Sequence, residues 1–516
     1  MTGIWSRMKR FAGVLLGART QDKEPPSPES QCTEAGQRTS QPALPEGKGS
    51  PIATEGSDAA EGGKQGNAES RTETVSARVR RRTPVEIVVG LDFGTSTVKC
   101  VVQTIVGERR RRERHVLPVQ GELLFPSLAW EQDGVVTFGR SPRGAARCYR
   151  SAKVCLRCSV LREEPCRQCF AGSKLTAETV AWGLLSNCVQ SIRAQLDDLF
   201  PQEDYALDWD HGVEWKMGVP LDGLEQRPLR DLFADLLWHA VHSGDGIGAA
   251  VGCDELCERY GALGAQHCPS TEESNCFVVA EADVAVNAFL EAQRNIEDGL
   301  YFLSDVGAGT VDVAFFRFAQ KSERPIIFYG TSSTRVGVDD LALSMARRLM
   351  ETNRRLSAAK AWNKAHDMLA RVLTAGDGHI HKCVDCARDF QGVYSLMHQG
   401  FRRAFSRALS KERVWDRWKG LKGAVIGGGR PMPGVADVFF KPISYGNPNE
   451  VIKAAQIPLR IAPIEGATEL HGIAYGLSVP FAEYFEHWRP GDVPEMERNH
   501  TRFSDVNRHV DFHDYW

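Results

Sequence analysis

Residues 86–102 read "EIVVGLDFGTSTVKCVV", and residues 301–318 read "YFLSDVGAGTVDVAFFRF". In both, an apolar run ends at an acid, Asp92 or Asp305, passes through a turn of small residues, and becomes apolar again. Short apolar runs separated by Gly, Thr and Ser read as strand–turn–strand hairpins. Backbone N–H groups in such a tight turn point at one anion, as in a phosphate-binding nest. Glycine lets the backbone approach closely and take positive φ. Thr and Ser hydroxyls add donors, and an acid closing the preceding strand can hold Mg²⁺, usually through water. One turn of this kind is an ordinary hairpin. Two in one chain predict a clamp that grips a polyphosphate from both sides.

The remaining sequence suits such a device. At 516 residues the chain is long enough for a core divided over two or more domains. It is 42% hydrophobic and 25% charged with a net charge of −3, so no global field points to nucleic acid. No apolar run reaches the roughly 18 residues of a membrane span. Strands alternate with helical patterns, which argues for an α/β architecture. Strands are expected at 85–91, 98–106 and 213–220 and helices at 176–199 and 224–242, with a strand leading into a helix over 275–292. A largely helical region spans 339–371 and 390–415, and a further strand ends in Gly427, Gly428 and Gly429. The run "ERRRRERH" (108–115) reads as a solvated hairpin tip, with nucleic-acid contact as the alternative.

Residues 1–84 form an N-terminal arm. Residues 21–77 are rich in Pro, Gly, Ser, Glu and Gln and nearly lack aromatic and branched apolar residues, a composition that predicts disorder. Ile4, Met8, Phe11 and Leu15 recur at helical spacing among Arg7, Lys9 and Arg10. Residues 3–17 read either as a short amphipathic helix on a membrane surface or partner, or as a frayed tail.

The motifs "GLDFGTSTVKC", "FLSDVGAGTVDVAFF" and "AVIGGGRPMPGV" resemble the two phosphate motifs and the adenosine motif of the actin, sugar-kinase and 70-kDa heat-shock chaperone superfamily. "VVAEADVAVNAF" and "STRVGVDDLALSM" are most similar to the chaperone ATPase branch. The resemblance covers about residues 85–480. It implies a two-lobed actin-like ATPase fold of duplicated ribonuclease-H-like domains, with 85–298 and 466–490 as the first lobe, 299–465 as the second and 491–516 as a tail. It further implies that Asp92, Gly94, Thr95, Ser96 and Thr97 form the first phosphate loop and Asp305, Gly307, Ala308, Gly309, Thr310 and Asp312 the second. Asp92 and Asp305 would position Mg²⁺. Thr310 and Asp312 would orient the attacking water, Glu281 would point inward, and Gly337 with Gly427, Gly428 and Gly429 would line the ATP. Lys153 would stand near the γ-phosphate, where charge develops in the transition state. The chain departs from the family at Pro431, where an arginine is usual, and at Ala308, where a glycine is usual. The last 35 or so residues are too few for a peptide-binding domain, so the expected partner is a protein docking elsewhere on the chain.

The chain has 14 cysteines, several of them in C-x-x-C pairs, and no convincing signal peptide, which predicts metal binding in a reducing, cytoplasmic setting. Cys155, Cys158, Cys166 and Cys169 pair two such knuckles within an insertion at about 148–172, and their four thiolates suit a structural Zn²⁺. His379, His381, Cys383 and Cys386 offer a weaker second set in a very short loop. Cys253 and Cys257 read as core residues one helical turn apart. The expected function is therefore an ATP-binding, ATP-hydrolysing nucleotide switch similar to the chaperone ATPase domain but lacking its peptide-binding part. A filament-forming actin-like ATPase and a small-molecule kinase are the alternatives on the same superfold.

Overall fold

A computed structural model describes residues 82–479 apart from 143–146, 162–169, 171, 222–226, 245, 265–268, 270–273, 294–295, 322–325, 376–385, 413–414, 433, 446, 458–463 and 465. The chain divides into Met1–Arg80, which lies outside the described residues, and Arg81–Trp516. The architecture is mixed α/β, built on several sheets.

The first opening motif forms β1 (Thr83–Phe93) and β2 (Thr97–Val106), followed by β3 (Arg111–Leu117), in an antiparallel meander. From Ile87 onward β1 is buried without alternation, the pattern of a central strand covered on both faces. The strand begins two residues before the expected start at Val85. Of the arginine run, only 108–110 form the hairpin tip, because Arg111 onward pairs with β2 as an edge strand. Charges on an edge strand discourage pairing with another sheet.

The short β4 (Phe125–Pro126) pairs with the start of β2, and β5 (Ala129–Gln132), β6 (Val135–Phe138) and β7 (Arg147–Tyr149) open a small separate sheet. Two helices follow, α1 (Ala152–Leu161) and α2 (Ala177–Leu199). Thr176 caps α2 by accepting a hydrogen bond from the Thr179 amide. The short β8 (Tyr205–Leu207) and then β9 (Val213–Val219) pair in parallel with β1. After α3 (Arg227–His242), β10 (Ala250–Gly252) completes the small sheet, and α4 (Cys253–Leu263) leads to β11 (Cys276–Ala280), parallel to β9. The helix α5 (Glu281–Ala292) starts directly at the end of β11.

The second motif builds the same arrangement. An antiparallel meander of β12 (Gly299–Val306), β13 (Val311–Phe318) and β14 (Ile326–Thr334) is followed by α6 (Val338–Thr352), α7 (Ala358–Ala375) and α8 (Cys386–Lys411). Next, β15 (Lys422–Ile426) joins β12 in parallel, and α9 (Val435–Phe439) and the β16 (Ile443–Tyr445)–β17 (Asn447–Ile452) hairpin follow. Finally β18 (Ala455–Gln456) joins β15 in parallel, and α10 (Gly472–Leu477) is the last helix of the described residues. The two sheet orders, β3-β2-β1-β9-β11 and β14-β13-β12-β15-β18, match strand for strand in position and direction.

Each sheet has its own core. Trp182, Trp215 and Phe233 are buried in the first, while in the second Phe315 and Phe405 pack on Trp418, and Phe302 and Phe401 pack on Phe315. The helices α5 and α10 cross between them. The first ends the β11 segment yet packs on β12 and β13, and the second follows β18 yet packs on β1, β2 and β9. The ends of β1, β12 and β15 are thereby brought to one place. No helix among the described residues is long and apolar enough to cross a membrane.

Candidate functional site

The two acid turns close by the same hydrogen bond. Gly94 N–H donates to Thr97 O at 3.1 Å, and Gly307 N–H donates to Thr310 O at 2.9 Å. Neither turn uses positive φ at its glycines or at Ala308, so the alanine in the second turn is accommodated without strain. What the turns require is close approach. A Cβ on Gly309 would lie 2.3 Å from Val154 Cγ2 and 2.9 Å from Thr95 Oγ1, so the second turn rests against both α1 and the first turn. Ser127 braces the first turn, its hydroxyl on Gly94 O at 2.7 Å and its amide on Ser96 O at 2.9 Å. The start of α6 braces the second, where Val338 and Asp339 amides donate to Gly307 O and Ala308 O at 3.2 and 2.7 Å. These amides are helix N-terminal donors that lack partners within the helix. Gly337 packs directly on Ala308 O, which leaves no room for a side chain.

Gly427 ends β15 with φ +87°, and its backbone lies against Asp305, with Gly429 N–H on Val306 O at 2.8 Å. Gly428 faces open space, since a Cβ there meets nothing nearer than Leu470 Cδ2 at 3.9 Å. Three turns, following β1, β12 and β15, thus surround one centre.

Four carboxylates meet there. Asp92 is buried and holds Lys99 Nζ at 2.5 Å. Glu281, the first residue of α5, is buried in an ion pair with Lys153 of α1, and Lys153 Nζ also lies 3.4 Å from Gly218 O. Asp305 and Asp312 are cross-strand neighbours in the β12–β13 hairpin. Burial pushes Asp305 well above the usual carboxylate range, and the charges of Glu281, Asp312 and Asp92 push it further. Burial raises Glu281 to about 7 against the opposing pull of Lys153. Burial also raises Asp312, and the hydroxyls of Ser333 and Thr310 together with the charges of Arg157 and Lys153 oppose the rise. Clustered anions of this kind make the centre a candidate functional site. One oxygen, Asp312 Oδ1, has no hydrogen-bond partner among the described residues.

The site thus brings together Asp92, Thr95, Lys153, Glu281, Asp305, Gly309, Thr310, Asp312, Gly337 and Gly427. Sequence reasoning missed Lys99, Ser127, Arg157 and Ser333. Lys99 was recoverable, because closing the hairpin at Gly94 and Thr97 puts Asp92 opposite Lys99.

The cysteine insertion needs correction. Cys155 and Cys158 were expected in an inserted zinc knuckle at about 148–172, but they are buried one turn apart on α1, the helix that also carries Lys153. Every side chain from Ser151 to Cys158 is buried, so this segment is part of the core. Cys166, Cys169, His379, His381 and Cys383 lie outside the described residues, and Cys386 opens α8. Cys253 is buried and Cys257 half-buried on α4, in keeping with packing roles. Among the described residues, no group of three or more His, Cys, Asp or Glu is arranged to hold a metal directly. Compared with family models and with curated proteins, the chain shows no match.

Proposed function

We propose that the chain is a Mg-dependent ATP-binding and ATP-hydrolysing switch with a two-lobed, actin-like fold, similar to the 70-kDa heat-shock chaperone ATPase domain and acting on a protein partner. The observation that carries this reading is the meeting of three glycine turns, from two sheets of matching topology, around four buried carboxylates. Buried like charges are costly unless a cation or a specific task requires them. The unpartnered Asp312 Oδ1 and the open face of Gly428 are consistent with a ligand at this centre. Asp92 and Asp305 suit Mg²⁺ held through water rather than directly, in line with the lack of a direct three-ligand set. The metal would neutralise phosphate charge. The chain's own residues do the rest: turn amides after Gly94 and after Gly307, whose own amides close the turns, hold phosphate oxygens, and Lys153 meets charge developing on the γ-phosphate. Thr310 and Asp312 orient the water.

Isothermal titration with ATP and Mg²⁺ tests the reading. The expected result is Mg-dependent binding by the wild type, a greatly weakened signal in Asp92→Ala, and retained binding with slow turnover in Lys153→Ala. Equal binding by all three chains, with or without Mg²⁺, would exclude this centre as the nucleotide site.

The reading includes a structural Zn²⁺ on Cys155, Cys158, Cys166 and Cys169. Elemental analysis of reduced protein prepared without chelator is expected to find at least one zinc per chain, and a metal-free result refutes the site. Cys158 is 2% exposed in the core beside α2 and α3. Its replacement by Ser adds a buried hydroxyl and removes a ligand of the proposed zinc, so it should lower stability by at least about 1–3 kcal/mol, as read by thermal unfolding.

A further inference from the structure

The surroundings of Asp312 extend the site by one residue that the family resemblance does not assign. Arg157, 3% exposed on α1, donates from Nη1 to Ser333 Oγ at 2.8 Å and from Nη2 to Ser333 O at 3.1 Å. Ser333 stands opposite Asp312 in the β13–β14 register, so its hydroxyl and the carboxylate are cross-strand neighbours, and the hydroxyl favours the ionised carboxylate. A serine hydroxyl has a single proton to donate. With the guanidinium donating into Ser333 Oγ, that proton is left for the neighbouring Asp312 carboxylate, whose Oδ1 has no protein partner among the described residues.

We propose that Arg157 is a positioning residue which, acting through Ser333, holds the Asp312 carboxylate so that its remaining oxygen accepts a hydrogen bond from the attacking water. This rests on the ATPase reading given above. Other charged and polar groups also face Asp312: Lys153 from α1, Thr310 from the second turn and Glu281 from α5, with Asp305 opposite it on β12. Of these, Arg157 is the one joined to Ser333 through both its side chain and its backbone.

The test uses full-length Arg157→Gln, Arg157→Lys and Ser333→Ala, with ATP turnover followed across pH. Arg157→Gln and Ser333→Ala should lower kcat by about 10- to 100-fold, the usual scale for outer residues that orient a reacting group. KM should stay within about twofold, because the loss falls on the transition state. The acid limb of the kcat profile should move up by about one pH unit in Arg157→Gln, since a cation that favoured the ionised carboxylate is gone. Arg157→Lys should recover the limb in part. In an Asp312→Asn background, Arg157→Gln should cost nothing further. A fall in kcat with the acid limb unmoved, or additive losses, would overturn the proposal.

Thermal unfolding reads the relay even if ATP turnover fails. Without Arg157, the folded-state pKa of Asp312 rises further above its unfolded value. The stability deficit of Arg157→Gln relative to wild type should then widen as pH rises through the carboxylate range and above, and shrink in acid, where Asp312 is protonated in both states, to the constant part due to the lost Arg157–Ser333 hydrogen bonds. A deficit constant across pH counts against the relay. Should Arg157→Gln not fold, the kcat profile of Ser333→Ala decides, with an unmoved acid limb again refuting it.

Discussion

Asp305→Asn should abolish ATP hydrolysis, a loss of about 10²-fold or more, and at the same time make the folded chain more resistant to unfolding at neutral pH. The two effects have one cause. Asp305 is buried beside Asp312, Glu281 and Asp92, and its folded-state pKa lies well above the unfolded one. A carboxyl raised in this way binds its proton more tightly in the folded state. Its effect on stability is nil in acid, below the unfolded value, and becomes unfavourable as pH rises toward the folded pKa. Each unit of that upward displacement costs about 1.4 kcal/mol. Asn keeps the shape and removes the titration, so the advantage of the variant should be near zero around pH 4 and grow toward neutrality. Lys99 draws Asp305 back toward ionisation, and Lys99 itself pairs with Asp92. Paired measurements of turnover and thermal midpoint between acid and neutral pH check both halves. Full turnover would remove Asp305 from the mechanism, and a variant less stable at neutral pH than the wild type would refute the electrostatic argument.

Much of the architecture was legible where the sequence signal is local. The two hairpins announced themselves as long apolar runs interrupted once, at an acid and small residues. The α2, α3 and α5 helices fell close to their expected positions because each is long and follows a strand or a capping residue. The small sheet of β5, β6, β7 and β10 was missed, because strands of three or four residues show no usable alternation. The α1 helix was hidden for a different reason. From Ser151 to Cys158 every residue is buried, charged Lys153 and Arg157 included, so no polar face betrays a helical period. The cysteine spacing then suggested a loop. The crossing of α5 and α10 had no local signature either, since each packs on a sheet remote in sequence from its own strand. At the site, residues within the turns were legible, but the partners that brace them from elsewhere were not. Ser127, Arg157 and Ser333 reach the centre through tertiary packing, which spacing alone does not encode.

The other large effect is expected at Gly427, where fold and ligand site can be separated by comparing it with its neighbour. Gly427 has φ +87°, a region that costs an L-residue about 1–2 kcal/mol. An added Cβ would lie 2.1 Å from Asp305 Oδ1 and within 2.6–2.9 Å of Val306 O and C. The strand backbone cannot yield as a side-chain tip can, so β15 must part from β12 at its end, an overpacking cost of about 1–3 kcal/mol. Gly427→Ala should therefore lose about 3 kcal/mol in denaturant unfolding, the sum of these two terms, and lose ATP binding because Asp305 is displaced with the strand. Gly428→Ala meets nothing nearer than 3.9 Å and has no positive φ to maintain. Its stability should stay within about 0.5 kcal/mol of wild type. If the nucleotide lies over the exposed face of this turn, the new methyl stands in its path, and Gly428→Ala should bind ATP more weakly without any loss of fold. Gly427→Ala as stable as wild type would mean that the turn is looser than its contacts with Asp305 require. Undiminished ATP binding by Gly428→Ala would move the nucleoside away from this turn, leaving the two acid hairpins as the only grip on the ligand.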